Sequence, residues 1–191
     1  MEKLTMEQAR ALLASTTTEA HLFEHAVGVS AAMGAMARHF GADPAYWEAV
    51  GYLHDYDYEQ YPREHLQHTE QPLRDAGVDE ESIRAILAHG WGLVNDAEPR
   101  TDLEKSLFTV DELTGLVAAT ARMHPEGIAG LKVSSVRKKF KDKRFAAKID
   151  RDVILKGCEL LGMDLADVIG LCIEGMCTQA DALGLGPKAP A

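Results

Sequence analysis

Apolar residues recur every three or four positions along most of the chain, which is the spacing of amphipathic helices. Residues that favour helix ends separate these periodic segments. Thr5 and the Asp43-Pro44 pair are typical of helix starts, and Gly41 is typical of a helix end. Alternating apolar and polar positions do not extend far enough anywhere to predict a sheet. The pattern therefore predicts an all-α protein, a bundle of about eight or nine helices.

The same pattern predicts where individual helices begin and end. Thr16 and Glu19 have the spacing of a capping box, so we expect a helix that starts there and ends at about Phe40. A polar loop rich in tyrosine follows at positions 56–61. A short helix is predicted from about Arg63 to Gly77.

Composition limits the class of protein. The chain has 191 residues, 46% of them hydrophobic, and a formal net charge of −10. We therefore expect a single domain over residues 1–191 that binds neither duplex nucleic acid nor a membrane surface. Neither a signal peptide nor a membrane-spanning segment is predicted. Cys158, Cys172 and Cys177 are interpreted as reduced core thiols, which favours a cytoplasmic protein.

Four polar residues interrupt faces that should be apolar. His25 lies in one helical stripe, His54 and Asp55 are adjacent where a second helix ends, and Asp111 lies within a third. Burial of a carboxylate without a partner costs several kcal/mol of folding free energy. A lone histidine in such a stripe is usually structural, but a shared divalent metal would give all four groups one partner.

The four residues resemble the H…HD…D signature of the HD superfamily of metal-dependent phosphohydrolases. The resemblance spans about residues 20–120, and it implies a single HD-domain-like helical bundle. It also implies that His25, His54, Asp55 and Asp111 bind the metal. We expect residues 20–120 to form the metal-site core and residues 125–184 to form a C-terminal helical extension that packs on it.

Imidazole and carboxylate ligands suit a divalent transition metal, namely Zn, Mn, Fe, Co or Ni. Such a metal would activate water, so we expect a metal-bound hydroxide to attack a small phosphate ester or anhydride, with a nucleotide as the expected substrate. Asp55 and Asp111 are the candidate catalytic residues that steer this water or accept its proton.

A second metal is left open by three further histidines. His65 and His89 resemble the extra ligands of two-metal HD proteins, and His68 lies one turn beyond His65. Gly90 stands where that pattern often has another histidine. We therefore expect one ion and keep His65, His89 and His68 as candidates for a second.

A basic segment at residues 132–148 contains eight Lys or Arg and a single acidic residue. It is either a solvated helix face or a site for substrate phosphates. In the second case the candidate residues are Lys138, Lys139, Lys143 and Arg144. In the loop after the doublet, Asp57 and Glu59 are candidates for an orienting residue or a general acid.

Two other functions remain open on the sequence. An HD-type di-iron oxygenase that cleaves a C–P or C–C bond would require His65 and His89. A non-catalytic HD signalling module would tolerate loss of the ligands, whereas all four are kept here. The oligomeric state is not predicted by the sequence.

Overall fold

The computed structural model describes residues 2–188, which form nine α-helices, a short 3-10 helix and no β-strand. The helices are α1 (Met6–Thr16), α2 (Ala20–Phe40), α3 (Pro44–Leu53), α4 (Glu70–Asp75), α5 (Glu80–Ala88), α6 (Asp102–Met123), α7 (Val133–Lys141), α8 (Arg151–Leu161) and α9 (Leu165–Cys177), with the 3-10 helix at Gly127–Gly130. The expected all-α class is confirmed.

Capping side chains mark the starts of these helices, and a glycine ends one of them, as the sequence predicts. Oγ1 of Thr5 accepts a hydrogen bond from the amide of Gln8, and a carboxylate oxygen of Asp43 accepts one from Ala45. Asp79 caps α5 in the same way through Ser82. Gly41 has a φ of 68°, a left-handed conformation that glycine adopts without the strain of a Cβ atom.

The start of α2 differs from the prediction. Thr16 is the last residue of α1, and its hydroxyl donates to the carbonyl oxygen of Tyr56. The amides of Thr18 and Glu19 instead donate to the carboxylate of Glu59, at 2.8 and 3.0 Å. A residue about forty positions away thus caps this helix, and a local capping box is not formed.

The predicted helix from Arg63 to Gly77 is also wrong in its first half, because α4 begins only at Glu70. Asp57 explains the difference. Its carboxylate accepts hydrogen bonds from the backbone amides of Leu66 and His68, which holds this segment as turns. Leu66 adopts a φ of 67°, a left-handed conformation that a continuous helix excludes.

Helix α2 is central, since it packs against α3, α6 and α9. Met33 and Met36 on α2 are fully buried, as are Leu107 and Leu113 on α6. Small residues allow a close approach: Gly175 on α9 lies against the backbone of Ala31 on α2. Cys158 and Cys172 are buried, whereas Cys177 is exposed, so only two of the three expected core thiols are in the core.

The C-terminal helices pack on the rest of the bundle, α8 along α6 and α9 along α2. The segment after α9 is held as well, because the amide of Ile128 donates to the carbonyl oxygen of Leu185 at 2.8 Å. Leu185 itself is only 1% exposed. No helix within residues 2–188 combines the length and the apolar character needed to cross a membrane.

Candidate metal centre

Three helices bring His25, His54 and Asp111 together at one end of the core. His25 comes from α2, His54 caps the C-terminus of α3, and Asp111 lies in the middle of α6. Nε2 of His25 lies 2.9 Å from Oδ1 of Asp111 and 3.1 Å from Nε2 of His54. Nε2 of His54 lies 3.3 Å from the same carboxylate oxygen.

Asp55 lies between this group and a second one. Its Oδ2 is 3.6 Å from Nε2 of His25 and 3.4 Å from Nε2 of His54. Its Oδ1 is 3.3 Å from Nε2 of His65 and 3.7 Å from Nε2 of His89. The two oxygens of one carboxylate therefore face two different pairs of histidines.

These side chains form three overlapping groups of potential ligands, and within each group the donor atoms lie within 4.8 Å of one another. The groups are His25, His54 and Asp55; His54, His89 and Asp111; and Asp55, His65 and His89. The expected ligands and two of the three additional histidines thus meet in one cluster.

The hydrogen bonds of the imidazoles show that this cluster suits a cation. Nδ1 of His54 lies 2.7 Å from the carbonyl oxygen of Gly51, and Nδ1 of His89 lies 2.5 Å from that of Ile86. A carbonyl only accepts hydrogen bonds, so both Nδ1 atoms carry the proton. In the neutral rings Nε2 then presents a lone pair to the cluster, as a metal ligand requires.

His65 is oriented by a carboxylate. Its Nδ1 lies 2.8 Å from Oδ1 of Asp57, which is itself 1% exposed. The pairing of a ligand histidine with an outer carboxylate is common in metal sites, because the hydrogen bond fixes the ring and raises its basicity. Asp57 therefore fits the orienting role expected of this loop, whereas Glu59 is used to cap α2.

Burial and the neighbouring charges shift the pKa values of the cluster residues, and at two of the three residues below the charges outweigh burial. Burial lowers the pKa of His89, with help from the neighbouring imidazoles, to about 4, so its ring is neutral at neutral pH. Burial also disfavours the charged form of His65, but Asp55 and Asp57 outweigh it and raise the pKa of His65 to about 9. Burial raises the pKa of Asp111, yet His25 and His54 more than reverse this and hold it below its ordinary value.

His68 lies outside the cluster. Its Nε2 is 2.6 Å from a carboxylate oxygen of Glu64, and its ring stacks on Tyr61 with 3.9 Å between the centroids. The turn held by Asp57 directs the two histidines differently, so His65 and not His68 approaches His89. A second-metal role for His68 therefore has no support in this geometry.

Gly90, which follows His89, is closely packed. A Cβ atom there would lie 2.5 Å from Cδ1 of Leu66 and 2.6 Å from Cγ2 of Val94. A second histidine at this position would have to displace both side chains. The departure from the two-metal pattern thus has a steric reason, while His89 itself remains in the cluster.

A cavity of about 460 Å³ opens onto Asp55, His65, His89 and Asp111. Its wall includes a single lysine among the described residues, Lys148, together with Glu112. Burial, followed by the charge of Asp111, raises the pKa of Glu112 to about 7. A basic residue and a protonatable carboxyl therefore lie beside the cluster.

The four basic residues predicted to hold phosphates lie elsewhere. Lys138 borders a separate surface depression with Arg137 and Lys141. The ammonium of Lys139 lies 4.4 Å above the ring of Phe145. Like these two, Lys143 and Arg144 are not among the described residues that border the cavity, and the Arg144 side chain is 95% exposed. The basic segment thus borders the cavity through Lys148 instead.

Arg151 explains how the segment before it is held beside the cluster. Its guanidinium donates to the carbonyl oxygens of five residues, which are Phe140, Asp142, Phe145, Ala146 and Ile149. The amide of Asp150 also donates to Oε2 of Glu112 at 3.0 Å. The segment with Lys148 and Ile149 is thereby tied to α6. Sequence spacing alone contains no signal for these contacts.

Comparison with known families agrees with this geometry. The model of the HD domain family matches residues 22–151, which is more than half of the chain and includes every residue of the cluster. The protein therefore belongs to the HD domain family. No curated protein and no solved structure gave a match to the chain. HD domains are typical of metal-dependent hydrolases and bind divalent metals.

Proposed function

We propose that the protein is a metal-dependent phosphohydrolase that acts on a small phosphate ester or anhydride. The observation that supports this proposal most is the position of Asp55, whose two oxygens face separate histidine pairs at the base of an open cavity. Sites that hold two neighbouring metal ions are found in phosphatases and nucleases, and the donor atoms around Asp55 would suit such a pair.

His25, His54, Asp55 and Asp111 would hold one divalent ion, and His65, His89 and the other oxygen of Asp55 would hold a second. When bound, the metal would lower the pKa of a coordinated water and polarise a phosphoryl oxygen. The charges match, since bound cations would displace the protons of the imidazoles, and two carboxylates with four neutral imidazoles then leave negative charge for the cations to neutralise. Zn, Mn, Fe, Co and Ni all suit this donor set.

The remaining chemistry is assigned to residues of the chain. Lys148 would neutralise charge on the phosphoryl group, because it is the one lysine among the described residues that border the cavity. Asp55 and Asp111 would orient the attacking water. The volume of the cavity suits a small molecule. The sequence favours a nucleotide among such molecules, and the cytoplasm is our expected location.

A phosphatase screen with metal analysis tests the proposal. The protein is purified without added metal, analysed for bound ions, and assayed for phosphate release from nucleotides and simple phosphate esters with each of the five metals. We expect metal-dependent release that is lost in Asp111→Ala. Stoichiometric metal without release of phosphate from any ester or anhydride would reject hydrolysis.

A di-iron oxygenase is the second candidate, because His65 and His89 do approach the other oxygen of Asp55. Such an enzyme would consume dioxygen when it is loaded with iron and given an organophosphonate. Oxygen uptake in the absence of phosphate-ester hydrolysis would favour this candidate over the first.

A further inference from the structure

The mouth of the cavity is unusually apolar for a site with so many charges. Six large apolar side chains are exposed among residues 2–188, and three of them, Tyr58, Leu93 and Val94, border this cavity. Leu93 is 54% exposed and Val94 is 44% exposed. Single exposed apolar residues need no explanation, but a group of them beside a cluster of ligands indicates a binding surface.

This apolar rim, formed by Tyr58, Leu93, Val94 and Ile149, is held in place by the fold. The carbonyl oxygen of Gly90 accepts hydrogen bonds from the amides of Leu93 and Val94, at 3.1 and 2.9 Å. The side chain of Asn95 donates to the carbonyl oxygen of Leu87 at 2.8 Å, which closes the same turn. The rim therefore needs little ordering when a ligand binds.

Both ends of the rim lie next to the metal ligands. The methyl group of Val94 packs where a side chain at Gly90 would lie, directly after His89. Beside α6, Cδ1 of Ile149 lies 3.1 Å from the position of a Cβ atom at Gly115, one helical turn beyond Asp111. The ring of Tyr58 packs edge-on against His65 at 5.2 Å. An apolar surface thus continues directly from the cluster.

The polar groups of the cavity also favour a ligand with an apolar group. Among the described residues that border it there is no Asn, Gln, Ser or Thr, so apart from the imidazoles and carboxyl groups its side-chain hydrogen-bonding groups are the Tyr58 hydroxyl and the Lys148 ammonium. A nucleobase or a sugar, whose edges carry several donors and acceptors, would leave many of these groups unpaired. An alkyl or aryl group would not.

We infer that the preferred substrate is a phosphate ester with an apolar alkyl or aryl group, and that Leu93, Val94 and Ile149 contact this group. The inference rests on the proposed phosphohydrolase function and specifies its substrate class, in place of the nucleotide that the sequence favours. It also identifies what would cover the exposed rim, since the ester group must extend from the phosphoryl group out of the cavity.

A series of straight-chain alkyl phosphates tests the inference, because their leaving groups have similar pKa values. With the metal that best supports hydrolysis, we expect kcat/KM to rise up to about fourfold for each added methylene from ethyl to hexyl phosphate, as transfer of methylenes from water predicts. In Leu93→Ala the hexyl-to-ethyl ratio should fall about tenfold, the loss expected for a few buried methylenes. Leu155→Ala is the control, since Leu155 is 48% exposed on α8 and does not border the cavity.

Binding of alkylphosphonates, measured by calorimetry in the zinc-loaded protein, gives a readout that does not depend on turnover. We expect affinity to increase with chain length in the wild type and to increase less in Leu93→Ala. Hydrolysis of all esters at one rate, with phosphonate affinity independent of chain length, would overturn the inference but not the proposed phosphohydrolase function. A wild-type protein that neither hydrolyses these esters nor binds the phosphonates would overturn the proposed function itself. A dimer that dissociates in Leu93→Ala would assign the rim to a second copy of the chain and also overturn the inference.

Discussion

The Nε2 atoms of His65 and His89 lie 3.1 Å apart, although one residue belongs to a turn and the other caps α5. Each ring has a partner for its other nitrogen, Asp57 for His65 and the carbonyl of Ile86 for His89. Two imidazole lone pairs at this distance repel each other unless a proton or a cation lies between them. The fold therefore arranges these rings for a shared positive charge.

Replacement of His89 by alanine should remove the ion of one half of the cluster. We expect His89→Ala to lose the ion proposed for His65 and the other oxygen of Asp55 and to keep the first ion, because all four ligands proposed for the first ion are retained. Elemental analysis of the purified variant measures this. His68→Ala serves as the control, and equal metal content in His89→Ala and wild type would contradict the second position.

Asp57 should affect metal binding without being a ligand. In Asp57→Ala the ring of His65 loses its hydrogen-bond partner, so affinity for the ion near His65 should fall about tenfold to a hundredfold, as for other outer carboxylates. Competition with a chelating dye measures it. Glu59→Gln is a matched control from the same loop, because Glu59 caps α2 and does not touch the cluster. Equal affinity in Asp57→Ala and wild type would show that the turn alone orients His65.

Lys148 should contribute to substrate binding more than any of the lysines of α7. We expect KM for a phosphate ester to rise about tenfold to a hundredfold in Lys148→Ala, the range for a lost hydrogen bond to a charged group. Lys148→Arg should recover part of this loss. Lys139→Ala, in which the ammonium over Phe145 is removed, should leave KM near its wild-type value. A larger increase of KM in Lys139→Ala than in Lys148→Ala would indicate that the phosphate site lies on α7.

Asp79 should make stability depend on pH. Burial raises its pKa, but hydrogen bonds from Ser82, the Leu4 amide and Tyr46 outweigh this and lower it below the ordinary value. A lowered pKa in the folded state means that the carboxylate stabilises the protein above its ordinary pKa and that this contribution is lost as pH falls through the lowered value.

Wild type and Asp79→Asn should therefore differ most at neutral pH and least in acid. We expect a difference of about 1–3 kcal/mol in the free energy of unfolding at pH 7, as for hydrogen bonds to a charged group. Urea denaturation at neutral and at acidic pH measures it. A difference that stays constant over this range would show that the charge of Asp79 does not matter.

Two glycines of α9 should respond in opposite directions to alanine. At Gly175 a Cβ atom would lie 2.2 Å from the carbonyl oxygen of Ala31, so Gly175→Ala should destabilise the protein by about 1–3 kcal/mol, as overpacking does. At Gly170 the nearest atom is Cγ2 of Val133 at 3.8 Å, so Gly170→Ala should stabilise it by up to about 1 kcal/mol through helix propensity. Thermal unfolding compares them. Similar stabilities would show that α9 can shift away from α2.

The sequence was informative about features that depend on neighbouring residues. Helical periodicity and capping residues such as Thr5 and Asp43 predicted most helices, since caps act within a turn of the chain. The four predicted ligands are close together for a related reason. Polar groups on apolar faces must meet one another when those faces form a core.

Contacts between distant residues were decided only by the tertiary structure. Glu59 caps a helix that begins about forty residues earlier, and Asp57 holds as turns a segment that local preferences favour as helix. Arg151 binds five carbonyl oxygens and so selects Lys148, from a segment with eight basic residues, to border the cavity. The free energy of such contacts depends on where the chain brings the two partners, which the local pattern of residues does not specify.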